Sequence, residues 1–373
     1  MTKFKIGILT GGGDAPGLNA AIYGIVKTCL TRLDCEVIGY KLGYRGLYEN
    51  DFVTLTDERI SGILHRGGTI LRNSNKDNLF NFPITDEHGN TTYQDVSSVA
   101  VENLQKEGVE ILIVLGGDGT LTSARDFARK GVRVIGVPKT IDNDLASTDI
   151  TFGFDTAVNI VTEALGRLHT TAESHHRVII TEVMGRNAGW IPLHAGIAGS
   201  ADVILLPEFP YDIQKIVAKV KSRSEQGKHF TIIVAGEGAK PKDGDIVVSQ
   251  IVKDSPDSVR LGGIAAKLAY DLTPLIDHEV RSVALGHTQR GGETSAFDRI
   301  LSLRYAHHVA TMIEQQQFGQ MATLRNGKMC SESLEDVVGS SATGSTSKGT
   351  SKPVTPDHEL VQVALGLGIT FAD

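Results

Sequence analysis

No stretch of the chain is apolar for long enough to span a bilayer or to form a secretory leader, and the opening MTKFKIGILTGGG passes from a basic start straight into a strand-like run. A cytoplasmic location is expected. Cysteine is scarce. Cys29, Cys35 and Cys330 have the spacing of neither a disulfide framework nor a zinc site, so they read as small buried hydrophobes in a reducing compartment. Aromatic residues make up only 6% of the chain, and positive charge is not in surplus, the net formal charge being -7. Nucleic acid and membrane are therefore not expected as partners, because nothing would draw a polyanion from a distance. Any phosphate must be held by local basic residues and backbone amides. The Lys-Ser/Thr pair of a Walker loop is missing too, and no solenoid-type repeat is visible.

What the chain has is glycine, 41 residues of it in 373, placed where tight turns follow apolar runs. A length of this order suggests two lobes with a cleft between them. Short buried-looking runs recur at Lys5–Thr10, Ile111–Leu115, Val132–Val137, Val178–Thr181, Val203–Leu206 and Phe230–Ala235. Helical patterns such as Ala20–Leu33 and Ala157–His169 lie between them, and a last amphipathic segment covers His358–Leu367. Alternation of this kind predicts an α/β fold with doubly wound parallel sheets. Almost every run ends in Gly, charged or hydroxyl residues: GGGDAPG, GGDGT, PKTIDND, EVMGR, PE and GEG. Ligands of open parallel sheets bind outside the carboxyl ends of the strands, so these clusters should converge.

Three of the clusters carry chemistry. In GGGDAPGLNAAI, Gly12 and Gly13 lie between strand and helix, where bare backbone can approach phosphate; a tight structural turn is about as good a reading of the glycines alone. GGDGT, with Gly117, Asp118, Gly119 and Thr120, repeats that setting and adds a carboxylate suited to hold Mg2+ on a polyphosphate, a helix cap being the plainer reading. PKTIDND brings Lys139, Thr140, Asp142 and Asp144 to one strand end, so that one acid can take a proton while another manages metal or orientation.

With the motifs HHR (175–177), EVMGRNAGW (182–190), LPE (206–208), GEG (236–238) and RSVALGHTQRGG (281–292), the chain resembles the phosphofructokinases from Lys3 to about Leu303. The resemblance implies two phosphofructokinase-like lobes with the active site in the cleft between them. Residues 1–153 plus about 289–339 would form the phosphoryl-donor lobe, and 154–288 plus about 340–373 the sugar-phosphate lobe, with 339–353, rich in Ser, Thr and Gly, as a flexible connector. It further implies transfer of the γ-phosphate of ATP to the 1-hydroxyl of fructose 6-phosphate, with Mg2+. Asp142 would be the base, Thr140 and Asp144 would position sugar and metal, and Arg186 would stabilise the transferring phosphoryl. Met184, Gly185, Glu237, His287 and Arg290 would bind the sugar, while Arg177 and Arg281 would reach the 6-phosphate of a neighbouring subunit, which implies a homodimer or homotetramer. His287 also reads as a packed structural histidine.

The donor is read from two positions. Pyrophosphate-using relatives carry Asp after GGD and Lys before TIDND, and typical ATP users carry Gly at both; this chain has Gly119 and Lys139. A carboxylate at the first position would repel the nucleotide's α-phosphate, so Gly119 favours ATP, with pyrophosphate as the alternative donor. Asn75 stands where the family has a phosphate-contacting arginine, and Arg72 or Lys76 would substitute. Tyr23 and Lys27 replace effector-binding arginines, which argues against nucleotide regulation. A non-catalytic sugar-phosphate-binding subunit and an enzyme for another phosphosugar such as sedoheptulose 7-phosphate are the competing readings.

Overall fold

In the computed structural model, which describes residues 4–74, 77–86, 90–251, 259–339 and 351–373, two sheets organise the chain. The larger has seven strands in the order Lys328–Ser333, Gln320–Arg325, Arg133–Pro138, Val109–Gly116, Phe4–Thr10, Cys35–Tyr40 and Phe52–Thr54. Its five inner strands are parallel, and one antiparallel strand closes each edge. The smaller sheet has four parallel strands in the order Glu279–Ala284, Arg177–Val183, Thr231–Gly236 and Val203–Leu205.

All six apolar runs picked from the sequence are strands of these sheets, and the helical patterns are the helices Leu18–Arg32, Phe154–His175 and Glu359–Gly366. Burial on both faces explains why the strands read as unbroken hydrophobic runs. Ile6, Ile8 and Ile113 pack on one side of the large sheet under the Leu18–Arg32 and Ala296–Glu314 helices. Leu9, Leu112 and Val114 pack on the other side with Leu121 and Phe127 of the Asp118–Arg129 helix. The smaller sheet is covered likewise, by the Phe154–His175 and Trp190–Ala198 helices on one face and Ile213–Glu225 and Ile264–Leu272 on the other.

Five strands of the two sheets gave no clear signal in the sequence: Cys35–Tyr40, Phe52–Thr54, Glu279–Ala284, Gln320–Arg325 and Lys328–Ser333. Glu279–Ala284 is exposed along most of its length, an edge strand whose charged residues break the apolar pattern. The carboxyl-terminal segment returns to the smaller sheet, where Val354, Val361, Ala364, Ile369 and Phe371 join its core and Thr370 pairs with Val203. Most of the predicted connector, residues 340–350, lies outside the described residues, as do Asn75 and Lys76.

Candidate active site

The first glycine loop follows the strand Phe4–Thr10, and GGDGT follows the neighbouring strand Val109–Gly116, so both loops leave the same end of one sheet. Thr120 joins them. A Cβ on Gly11 would lie 2.6 Å from the Thr120 side chain, and one on Gly116 would overlap it, so these two positions admit only glycine. Thr120 is buried, and its carbonyl accepts from Tyr44 Oη at 2.9 Å. Gly119, by contrast, faces open space. Arg72 lies beside the same strand end, where its carbonyl accepts from Thr10 Oγ1 at 3.2 Å while its side chain is exposed.

PKTIDND leaves the next strand, Arg133–Pro138, and brings its charges under the first loop. Lys139 is 4% exposed, and its Nζ donates to the Gly13 carbonyl at 2.5 Å. Burial first, and the Arg290 guanidinium second, bring the Lys139 ammonium down to about 8 against the pull of Asp142, Asp14 and Asp144. Asp142 is 6% exposed. Its N–H donates to Thr140 Oγ1 at 3.1 Å, which fixes the loop, but its carboxylate Oδ1 is buried with no hydrogen-bond partner among the described residues. Desolvation raises Asp142, while Arg290, Arg186 and Lys139 draw it back down. Asp144 is pushed up to about 7, by burial and then by the charge of Asp142. Asp118, in the first turn of its helix, is also raised by burial, and its Oδ1 is likewise without a partner among the described residues.

The smaller sheet presents its own strand ends to this group. Met184, Gly185 and Arg186 follow Arg177–Val183, and Glu237 follows Thr231–Gly236. Arg186 has a left-handed backbone, φ 51°, and its N–H donates to Glu237 Oε1 at 3.0 Å. Burial holds Glu237 near 7 despite that bond. Arg290 reaches from the turn Gly286–Arg290 to the first loop, where Nη1 donates to the Asp14 carbonyl at 2.9 Å. His287, on the same turn, is exposed. The three loops, Lys139, Asp142, Asp144, Arg186, Glu237 and Arg290 thus meet in one cleft.

Arg177 and Arg281 do not join them. Both pair with Glu279, at the amino-terminal end of the smaller sheet, opposite the end that carries Met184 and Glu237. Among the described residues no three His, Cys, Asp or Glu side chains are grouped to hold a metal by themselves. Sequence reasoning missed Gln289, which is fully buried, accepts from Met184 N–H at 3.2 Å and donates to the Gly286 carbonyl at 3.0 Å. It sits inside the GHTQR segment, where its neighbours Arg290 and His287 drew the attention. It missed Asn143 as well, whose left-handed φ of 52° and bond from Thr151 N–H shape the loop that follows Arg133–Pro138.

The family profile described as phosphofructokinase matches residues 5–313. The chain belongs to the phosphofructokinase family. It is 64% identical over 370 residues to "ATP-dependent 6-phosphofructokinase 2" of Clostridium perfringens, covering 99% of this chain and 98% of that one. It is 45% identical to "ATP-dependent 6-phosphofructokinase 3" of Streptomyces coelicolor, over 90% of this chain and 94% of that one. Among solved structures, phosphofructokinase of Saccharomyces cerevisiae superposes with a TM-score of 0.76 at 26% identity over 90% of this chain and 45% of the yeast chain. A pyrophosphate-dependent phosphofructokinase of Nitrosospira multiformis superposes at 0.78 with 19% identity, over 100% and 93% of the two chains, a likeness of fold alone.

Proposed function

We propose that the chain is an ATP-dependent 6-phosphofructokinase, a glycolytic phosphotransferase acting on fructose 6-phosphate in the cytoplasm. The observation that carries this reading is Asp142: a desolvated carboxylate with an unpartnered oxygen, beside three cationic side chains. An acid so placed binds protons more readily than an exposed aspartate and is poised as a base for a hydroxyl. Asp142 takes the proton of the sugar 1-hydroxyl. That oxygen forms its bond to the γ-phosphorus as the bond to the bridging oxygen breaks, and ADP departs with the electron pair.

Lys139, Arg186 and Arg290 supply positive charge where the transferring phosphoryl spreads its own. Gly12, Gly13, Gly117 and Thr120 line the donor cradle with backbone, and Arg72 stands at its rim. Bound Mg2+ would neutralise the phosphate oxygens; the unpartnered Asp118 Oδ1 fits a hard cation that takes most of its ligands from phosphate and water, with Asp144 nearby to orient it. Met184, Gly185, Glu237 and His287 would bind the sugar. The strands of the large sheet then form the donor lobe and those of the smaller sheet the sugar lobe.

The open space at Gly119 supports ATP, since nothing there opposes an α-phosphate, and the names of the 64% and 45% identical relatives point the same way. Arg177 and Arg281, turned away from their own cleft, suit a homo-oligomer in which each subunit completes its neighbour's sugar-phosphate site. No helix among the described residues is long and apolar enough to cross a membrane. The test is turnover of fructose 6-phosphate with Mg2+ and either ATP or pyrophosphate, beside a Gly119→Asp variant. ATP should be the faster donor, and the variant should lose ATP turnover about a hundredfold through like-charge repulsion while keeping pyrophosphate turnover. Faster wild-type turnover with pyrophosphate overturns the donor, and none with either overturns the catalytic reading.

A further inference from the structure

Past the residues that the family profile matches, a short carboxyl-terminal strap crosses from the catalytic loop to the sugar side of the cleft. Ser351 bridges Leu145 in antiparallel fashion, and Lys352 N–H donates to the carbonyl of Asp144 at 2.7 Å. The Lys352 carbonyl accepts from the indole Nε1 of Trp190 at 2.7 Å. Its ammonium donates to the Asp149 carbonyl at 2.6 Å and lies 5.2 Å from the Trp190 ring centroid. Two residues on, Val354 N–H donates to Glu208 Oε1 at 2.8 Å, an oxygen that also accepts from Gly189 N–H at 2.9 Å. One residue therefore touches the loop that carries Asp142 and Asp144 and the segment that carries Met184 to Trp190.

We infer that Lys352 is a positioning residue: bonded to Asp144 and Asp149 on one side and Trp190 on the other, it sets the catalytic loop against the sugar-binding segment. The loop needs such a brace. Its carboxylates are desolvated and repel one another, and the Asp144 carbonyl is held by a strap backbone that is itself anchored through buried Trp190 and Val354. An ammonium shared between backbone carbonyls and an aromatic face holds both in one geometry. Phosphoryl transfer is sensitive to alignment, and a displacement of about 1 Å can lower the rate about a hundredfold.

The inference rests on the phosphotransferase reading, and wild-type turnover with fructose 6-phosphate decides that reading separately. The strap is probed with Lys352→Met, Lys352→Arg and Trp190→Phe, which removes the indole donor and part of the buried ring system but keeps an aromatic face. Lys352→Met should lower kcat about tenfold, leave the fructose 6-phosphate KM within about twofold and move the acid limb of the kcat–pH profile. Lys352→Arg should recover most of the loss, because it restores a cation over the ring. Trp190 is the single tryptophan, so a changed emission maximum in Lys352→Met reports the lost contact without any turnover. Should Lys352→Met not fold, Trp190→Phe carries the same expectation for kcat and pH profile. Wild-type kcat and pH profile in the folded variants overturn the inference, and so does a loss that follows Tm alone and is not rescued by arginine.

Discussion

Two clusters of buried charge lie on the same large sheet and are built to opposite ends. At the helix Asp118–Arg129, Arg125 is 1% exposed, and Nε and Nη2 donate to Asp126 Oδ1 at 3.0 and 2.8 Å while Nη1 donates to the Gly339 carbonyl. Arg129 adds a bond to the same carboxylate oxygen and pairs with Glu335. Each charge there has a named partner. Two turns earlier on that helix, Asp118 keeps a buried oxygen without one among the described residues, and so does Asp142 on the loop after the neighbouring strand. Burial of unpaired carboxylates is unfavourable, and folding tolerates it only where the rest of the lobe is stable enough to bear it. The first cluster is satisfied within the fold, and the second, on the proposed function, keeps its open valences for substrate, metal and proton.

Breaking each cluster should therefore have opposite signatures. The largest effect belongs to Asp142→Asn, which keeps shape and burial but cannot accept the hydroxyl proton. It should lower kcat about a thousandfold, on the order of 4 kcal/mol of transition-state stabilisation, with a Tm at or above wild type. Steady-state turnover and a thermal melt check this, and a variant with more than a tenth of wild-type kcat would refute the base. Arg125→Met is the mirror image. Asp126 would lose its main partner at a buried site, for a destabilisation of about 3 kcal/mol, while turnover per folded molecule stays near wild type. Normal stability with lost turnover would erase the distinction between the clusters.

The pH dependence sharpens the same contrast. Asp142 and Asp144 titrate as a raised pair, Asp144 near 7, so catalysis should fall as pH drops through that region and the base takes up a proton. Lys139 near 8 should give an alkaline limb, since its charge is lost as pH rises. The kcat/KM profile of the free enzyme is expected to be a narrow bell between about 7 and 8. An acid limb near the ordinary carboxylate value of about 4 would mean that the pair is hydrated rather than desolvated.

Much of this architecture was legible in the sequence, for a physical reason. Strands buried on both faces must be apolar throughout, and loops at their carboxyl ends must be small or polar, so Lys5–Thr10 followed by GGGD reads as a strand and its ligand loop. Glu279–Ala284 was not legible as a strand, because an exposed edge needs no apolar face and carries Glu279 and Arg281 instead. Gln289 and Lys352 were illegible for another reason: their importance lies in partners 105 residues away for Gln289 and 162 for Lys352, which no local pattern encodes. The glycines fell between these cases. Their positions marked the loops, but only the fold reveals that Gly11 and Gly116 make room for Thr120 while Gly119 opens onto the cleft.

The smallest effect is the one that assigns Glu237 to a cluster. Its carboxyl sits near 7, above the ordinary 4.5, through burial, although Arg186 N–H donates to it. The folded state therefore holds its proton more tightly than the unfolded state does. Its contribution to stability declines as pH rises from about 4.5 to 7, and the burden of the buried charge is complete above that. Glu237→Gln keeps an oxygen for the Arg186 amide and removes the charge. Its Tm should exceed that of wild type by about 2 °C at pH 8, and the gain should vanish toward pH 4, where both side chains are neutral. The same variant should bind fructose 6-phosphate more weakly, because a neutral amide is a poorer acceptor for a sugar hydroxyl. Melts at the two pH values, set beside the sugar KM, decide the matter. A variant less stable at pH 8 with an unchanged KM would move Glu237 to the side of Asp126, a charge kept for the fold rather than for the substrate.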